Sequence, residues 1–134
     1  MMRRLLLLAL PAVLTGCQTW GPTWSEVTGV RFTFTQLNRT PVVIEKIDGS
    51  SAFPNAPGDP IKIEPGKRVI VLRAIPPALT SAAGWRMPEY VLDAQPCQRY
   101  YINAQFDSRF GPDWEPVIDG VERIAGCDPS PKAK

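Results

Sequence analysis

Between residues 29 and 127, apolar and polar positions alternate in short runs, and no stretch repeats its apolar residues with a helical period. Alternation with a period of two puts successive side chains on opposite faces of a strand. Val30, Phe32 and Phe34 alternate with Arg31, Thr33 and Thr35, which predicts a strand with one apolar face. The β-branched run at residues 42–47 predicts a second strand. It lies between a turn at Asn38-Arg39-Thr40-Pro41 and a turn at Asp48-Gly49. Residues 50–60, interrupted by Pro54, Pro57 and Pro60, are expected as an exposed connection. Residues 61–64 and 67–73 alternate on either side of Pro65-Gly66, a spacing that predicts a β-hairpin.

Residues 74–88 are rich in Pro, Ala and Gly and allow at most one helical turn near residues 78–83. Strands are expected again at residues 90–94, at 97–106 and in the segment that runs from Trp114 toward Cys127. In the middle one, Tyr100, Ile102, Ala104 and Phe106 form the core face, and Tyr101, Asn103 and Gln105 the opposite face. About seven short strands with turn chemistry between them specify an all-β fold: a single small β-sandwich, immunoglobulin-like or prealbumin-like, over residues 29–127. A parallel α/β sheet would need crossover helices that this pattern does not supply.

The first residues follow a different plan. Arg3 and Arg4 precede an apolar run at residues 5–14, and the small residues Thr15 and Gly16 follow it. Basic, apolar, small is the order of an export signal, and a run of about 10 residues is too short to span a bilayer, which takes roughly 20. Leu14-Thr15-Gly16-Cys17 resembles the bacterial lipobox. The resemblance implies cleavage before Cys17 and lipidation of its sulfur. Residues 1–16 are then a lipoprotein signal peptide and residues 17–28 a lipidated N-terminus and tether, with Trp20 and Trp24 at the membrane interface or over an edge of the domain. The next residue is Gln18 and not Asp, which implies, in Gram-negative bacteria, the outer membrane with the domain facing the periplasm. Residues 128–134 are expected as a polar tail.

Charge and cysteine count fit this plan. The formal net charge of +2 resides in Arg3 and Arg4, so the chain from Cys17 onward is formally neutral. With no Lys/Arg run, a nucleic-acid partner is not expected, and membrane attachment falls to the lipid. Lipidation of Cys17 leaves Cys97 and Cys127 as the one intramolecular disulfide, in a compartment where disulfides persist.

Candidate chemistry is sparse. Without histidine, Ser-His-Asp and Cys-His catalysis lack their base, and a zinc site lacks ligands. Ser50 and Ser51 near Lys46 are the remaining nucleophile arrangement. Asp107, Asp113, Glu115, Asp119 and Glu122 are candidates for calcium or, as paired carboxylates, for glycan chemistry. Their spacing fits no EF-hand loop, and acids on a final strand are expected on its solvated face. Trp85 and Trp114 are expected to cap the core or, projecting from one end, to bind an envelope protein or a glycan.

Val43 and Ile44, Ile47-Asp48-Gly49, Pro60-Ile61 and Ile63, Pro65-Gly66, and the run Val69-Ile70-Val71 resemble the PEGA-type β-sandwich repeats of bacterial envelope proteins. The resemblance implies a surface or scaffolding role and brings no catalytic residues. The expected protein is a non-enzymatic envelope binding or structural module without a cofactor. The alternative is a small calcium-dependent or glycan-active protein using the acids at 107–122.

Overall fold

In chain order the strands are β1 (Ser25–Thr28), β2 (Arg39–Ile47), β3 (Ser50–Ser51), β4 (Ile61–Ile63), β5 (Gly66–Ala74), β6 (Glu89–Ala94), β7 (Gln98–Phe106) and β8 (Trp114–Arg123). The computed structural model describes residues 21–30, 37–56, 58–76 and 86–130, and within them the chain is all-β. β7 is the spine of one layer. One flank pairs antiparallel with β8 along its whole length. The other takes β1 in parallel at residues 99–101 and β2 antiparallel at residues 103–105, and β4 lies outside β1. The second layer is a meander of β2, β5 and β6, with β3 on the end of β2. The two layers form one continuous mixed sheet folded over at β2, a small β-sandwich of eight strands.

β2 makes the fold possible by changing layers midway. Arg39, Thr40 and Pro41 pair with β7; from Val42 onward the strand pairs with β5. Pro41 suits the crossing point because a strand interior would need the N–H it lacks. Its carbonyl accepts a hydrogen bond from Ile75 N–H at 3.1 Å. Val42 N–H donates to Gly29 O at 3.0 Å, and a Cβ on Gly29 would stand 1.9 Å from Val42 O. Only glycine lets β1 end against the strand that crosses over it.

The core is built from the alternating positions of both layers. Val27, Val42, Ile44, Ile70, Leu72, Leu92, Tyr100, Ile102, Ala104 and Phe106 are buried together. Each large aliphatic or aromatic side chain among them contributes about 1.5–3 kcal/mol of burial. A smaller cluster of Cys97, Ile124 and Cys127, with Trp24 packed against it, closes one end. There Cys97 and Cys127 are joined at 2.07 Å, with 5.4 Å between their Cα atoms. Cys97 has a φ of 60°, in the left-handed region that costs a non-glycine residue energy. Hydrogen bonds from Cys97 N–H to Trp24 O and from Ile124 N–H to Cys97 O hold it in that conformation.

Several sequence expectations need correction. Residues 25–28, expected in the tether, form β1, and all four are buried. Val27 enters the core, the Ser25 hydroxyl donates to Gln95 O at 2.6 Å, and Glu26 and Thr28 are covered on the other face. A short strand buried on both faces with three polar residues has no alternation to read. Trp24 covers the disulfide end of the domain, and Trp20 lies outside the described residues.

The expected hairpin at Pro65-Gly66 does not form, because β4 pairs with β1 and β5 with β2 and β6. The turn is a corner at which the chain passes from one layer to the other. Arg68 fastens it: Nε donates to Glu64 O, Nη2 to Pro65 O and Nη1 to Asp48 Oδ2. The turn expected at 38–41 is confined to Leu37 and Asn38, and residues 39–41 belong to β2. The strand expected from Val30 and the helical turn near 78–83 fall largely or wholly outside the described residues.

Two predictions follow from the crossing and the corner. Gly29→Ala is expected to lower the unfolding free energy by about 1–3 kcal/mol, the usual cost of overpacking, read from the urea midpoint. An unchanged midpoint would mean that β2 crosses layers without this close approach. Asp48 accepts from Val69 N–H and from Arg68, and these two hydrogen bonds, in that order, hold its pKa below the ordinary carboxylate value. A depressed pKa adds stability above the unfolded-state value, which is lost as the pH falls through the folded-state value. Asp48→Asn keeps a residue that tolerates positive φ, so it is expected to be slightly less stable at neutral pH, with the gap closing below about pH 4. A gap independent of pH would rule out the charge as its cause.

Candidate functional site

The outward face of the β4-β1-β7-β8 layer carries a row of alternating charge. Lys62, Glu26, Arg99 and Glu122 stand directly opposite one another on four successive strands. Opposite charges in register on neighbouring strands attract, and here the rule is applied three times in line. Glu26 Oε2 accepts from Arg99 Nε at 2.6 Å, and its Oε1 from Trp24 Nε1 at 3.0 Å. The Glu26 side chain is only 8% exposed, so this pair and the indole N–H compensate its lost hydration. Arg99 Nη1 lies 3.8 Å from Glu122 Oε2, which also accepts from the Tyr101 hydroxyl at 2.8 Å. The hydrogen bond to Glu26 raises the pKa of Arg99 above the ordinary arginine value, against the opposing pull of burial. Lys62 Nζ sits 4.5 Å above the centre of the Trp24 ring, a cation–π contact.

A cleft of about 330 Å³ opens over this row, walled by Glu26 and Arg99 below, Lys62 on one side, and Phe53, Asn55 and Asp59 from the 52–60 segment. The segment is shaped by a hydrogen bond from Asp59 N–H to Ala56 O and by Gly58, whose φ of 87° favours glycine. Phe53 is 82% exposed at the rim. A second recess continues along Ser50, Ser51, Phe53, Lys62 and Glu64 to Arg68. To a ligand the cleft presents an ammonium, a carboxylate, a carboxamide and an aromatic ring over a floor of paired charges. This chemistry suits recognition of a polar, mixed-charge group.

The same face continues toward the far end of β7. A bulge in β8 between the partners of Tyr101 and Ile102 leaves Asp119 without a direct opposite. Bulges re-aim side chains, and Asp119 reaches across β7 to Arg39 of β2 at 2.7 Å. Arg39 Nε also donates to Gln105 at 3.0 Å. The crossing strand is thus tied to β7 by a hydrogen bond and, beyond it, to β8 by charge.

The residues singled out from sequence separate into distinct places. Cys97 and Cys127 are bonded to each other. Cys17 and Trp85 lie outside the described residues. Trp114 does not project: it is 1% exposed, packs beside Phe106 with ring centres 6.2 Å apart, and has the Arg86 guanidinium 5.8 Å from its ring centre. Its bulk fills the core between the layers, which removes it as an exposed stacking surface. The calcium cluster does not assemble either. Asp107 and Asp113 are exposed in the loop before β8, Glu115 is exposed on the strand, and Asp119 and Glu122 are engaged by Arg39 and Tyr101. Among the described residues no three His, Cys, Asp or Glu side chains are grouped to hold a metal. Lys46 and Ser51 are register partners, both exposed to solvent.

Sequence reasoning missed Glu26, Phe53, Lys62 and Arg99. For Phe53 a signal existed, a lone aromatic beside Pro54 in an otherwise polar connection. For the charged row there was none, since Lys62, Glu26 and Arg99 meet only through strand pairing. No family model, curated protein or solved structure matches the chain.

Removing Arg99 strands a carboxylate that is almost out of water. Arg99→Met is expected to destabilise by about 1–3 kcal/mol, a range reduced for the partial exposure of the arginine. Combining it with Glu26→Gln should cost less than the two changes summed, a coupling of about 1 kcal/mol in a double-mutant cycle. Strict additivity would show that the two side chains do not act as a pair.

Proposed function

We propose that the chain is a lipid-anchored lipoprotein of the bacterial cell envelope, attached through Cys17 at the outer membrane on the periplasmic side, whose β-sandwich acts as a non-enzymatic binding module. The observation that carries this reading is how soon the fold begins after the lipobox. Pro22 O already accepts a hydrogen bond from Asp128 N–H, and Pro22 is five positions after Cys17. Five extended residues reach about 18 Å at most. A lipid on Cys17 would therefore hold the disulfide end of the sandwich next to the bilayer and leave the flanks and the opposite end for a partner.

Two further features support the reading. The Cys97–Cys127 bridge is the kind of cross-link that persists in oxidising compartments such as the periplasm. The cleft between the charged row and the 52–60 segment is concave, floored by an ion pair and of mixed polarity, as binding sites are. Two or three acyl chains would make the anchor permanent at about 0.8 kcal/mol for each buried methylene.

Metabolic labelling with a clickable fatty acid tests the anchor. The full-length chain is expected to take up label and fractionate with membranes, and Cys17→Ala to lose both. Equal labelling of the two would end the lipoprotein reading.

A further inference from the structure

The meander layer ends at β6, which among the described residues pairs only with β5. No strand among the described residues pairs with its other edge, and the register fixes which groups that edge offers. Leu72 N–H donates to Pro88 O, so Pro88 and, by alternation, Tyr90, Leu92 and Ala94 direct their backbone groups toward β5. The opposite side of β5 agrees, because Val69 O accepts from Asp48 N–H on the β2 side. Glu89, Val91 and Asp93 therefore point their N–H and C=O groups away from the sheet. This edge has no proline between Glu89 and Ala94 and no register shift, whereas β8, on the outside of the other layer, has both Pro116 and a bulge.

The side chains of the same three residues are exposed on the outer face. Val91 is 61% exposed and stands opposite Val69, itself 37% exposed, so a short apolar row runs out to the edge and stops. Glu89 and Asp93 flank it, and among the described residues neither carboxylate has an ion-pair or hydrogen-bond partner. Edge charges ordinarily discourage unwanted pairing. Here they act selectively. If β6 paired antiparallel with β6 of a second copy about Val91, Glu89 of each copy would face Asp93 of the other, a like-charge contact on both sides of the centre. A strand with basic residues at those two positions and an apolar residue between them would meet attraction at each. The fold already uses the same pairing logic in the Lys62, Glu26, Arg99 and Glu122 row.

We propose that β6 is a β-augmentation site for an extended segment of a partner protein, with basic side chains opposite Glu89 and Asp93 and an apolar one opposite Val91. The main-chain ladder supplies the affinity, and the carboxylates select the partner and bar self-association. The assignment rests on the reading of the domain as a binding module and is independent of the lipid anchor.

The test uses the purified full-length chain in detergent at low ionic strength, with two fluorescent seven-residue peptides followed by anisotropy. One carries lysine, valine and lysine at alternate positions with threonine between them; the other has glutamate for each lysine. The lysine peptide is expected to bind about tenfold more tightly than its twin. Glu89→Lys combined with Asp93→Lys is expected to reverse that order. Val91→Pro removes an N–H that no bond to β5 uses, so it is expected to weaken the lysine peptide at least tenfold with little change in thermal unfolding. Should that variant fail to fold, the charge exchange stands as an independent test. Equal affinity for the two peptides, no binding of either, or dimerisation of the wild type through β6 would each overturn the assignment. Lysine-peptide binding that survives both sets of substitutions would also overturn it, while leaving a binding module whose site lies elsewhere.

Discussion

One close approach organises the molecule: the backbone of β2 passing over the end of β1. The hydrogen bond from Val42 to Gly29 marks the point at which β2 stops pairing with β7 and begins to pair with β5. Every later strand inherits its place from that crossing. β5 and β6 extend the layer that β2 enters, while β7 takes β1 and β2 end to end on one flank because both strands meet there. A side chain at position 29 would separate the two layers at the point where they are joined.

Around this crossing, charge does the work that apolar packing does inside. The outer face over β7 is a lattice of paired charges, with Glu26 and Arg99 near the disulfide end and Arg39 and Asp119 near the other. Each pair joins neighbouring or next-neighbouring strands, so the lattice resists slippage of the register as well as adding a modest energy. Its cations and anions are largely matched. A ligand in the cleft would therefore meet a floor with fixed polarity but little net field, a surface better suited to specificity than to long-range steering.

The division between what the sequence reveals and what it hides follows from which interactions are local. β2, β5 and β6 are legible because one face of each is more buried than the other, so Val42 and Ile44, or Ile70 and Leu72, announce themselves by spacing, and β7 is legible from its alternating core face although Asn103 on the opposite face is buried too. β1 is not, since Ser25, Glu26 and Thr28 are buried by partners distant in the chain. The Pro65-Gly66 corner looks like a hairpin because the local chemistry of a turn is the same whether its arms pair with each other or with other strands. What distinguishes the two is the pairing of β4 with β1 and of β5 with β2 and β6, together with Arg68, which reaches Asp48 across 20 positions. The disulfide was readable by cysteine parity; the charged row was not, because register is a property of pairs of strands.

The disulfide end has one more consequence. Where the chain enters the sandwich, Thr23 and Pro22 bond to Asp128, and Trp24 packs on Cys127, so entry and exit are stitched together within a few atoms. The domain is thus nearly circular. A module whose two ends meet can be carried on a single stalk or inserted into a surface loop of a larger protein without stretching either boundary. This closure makes the unit portable, whatever is attached to it.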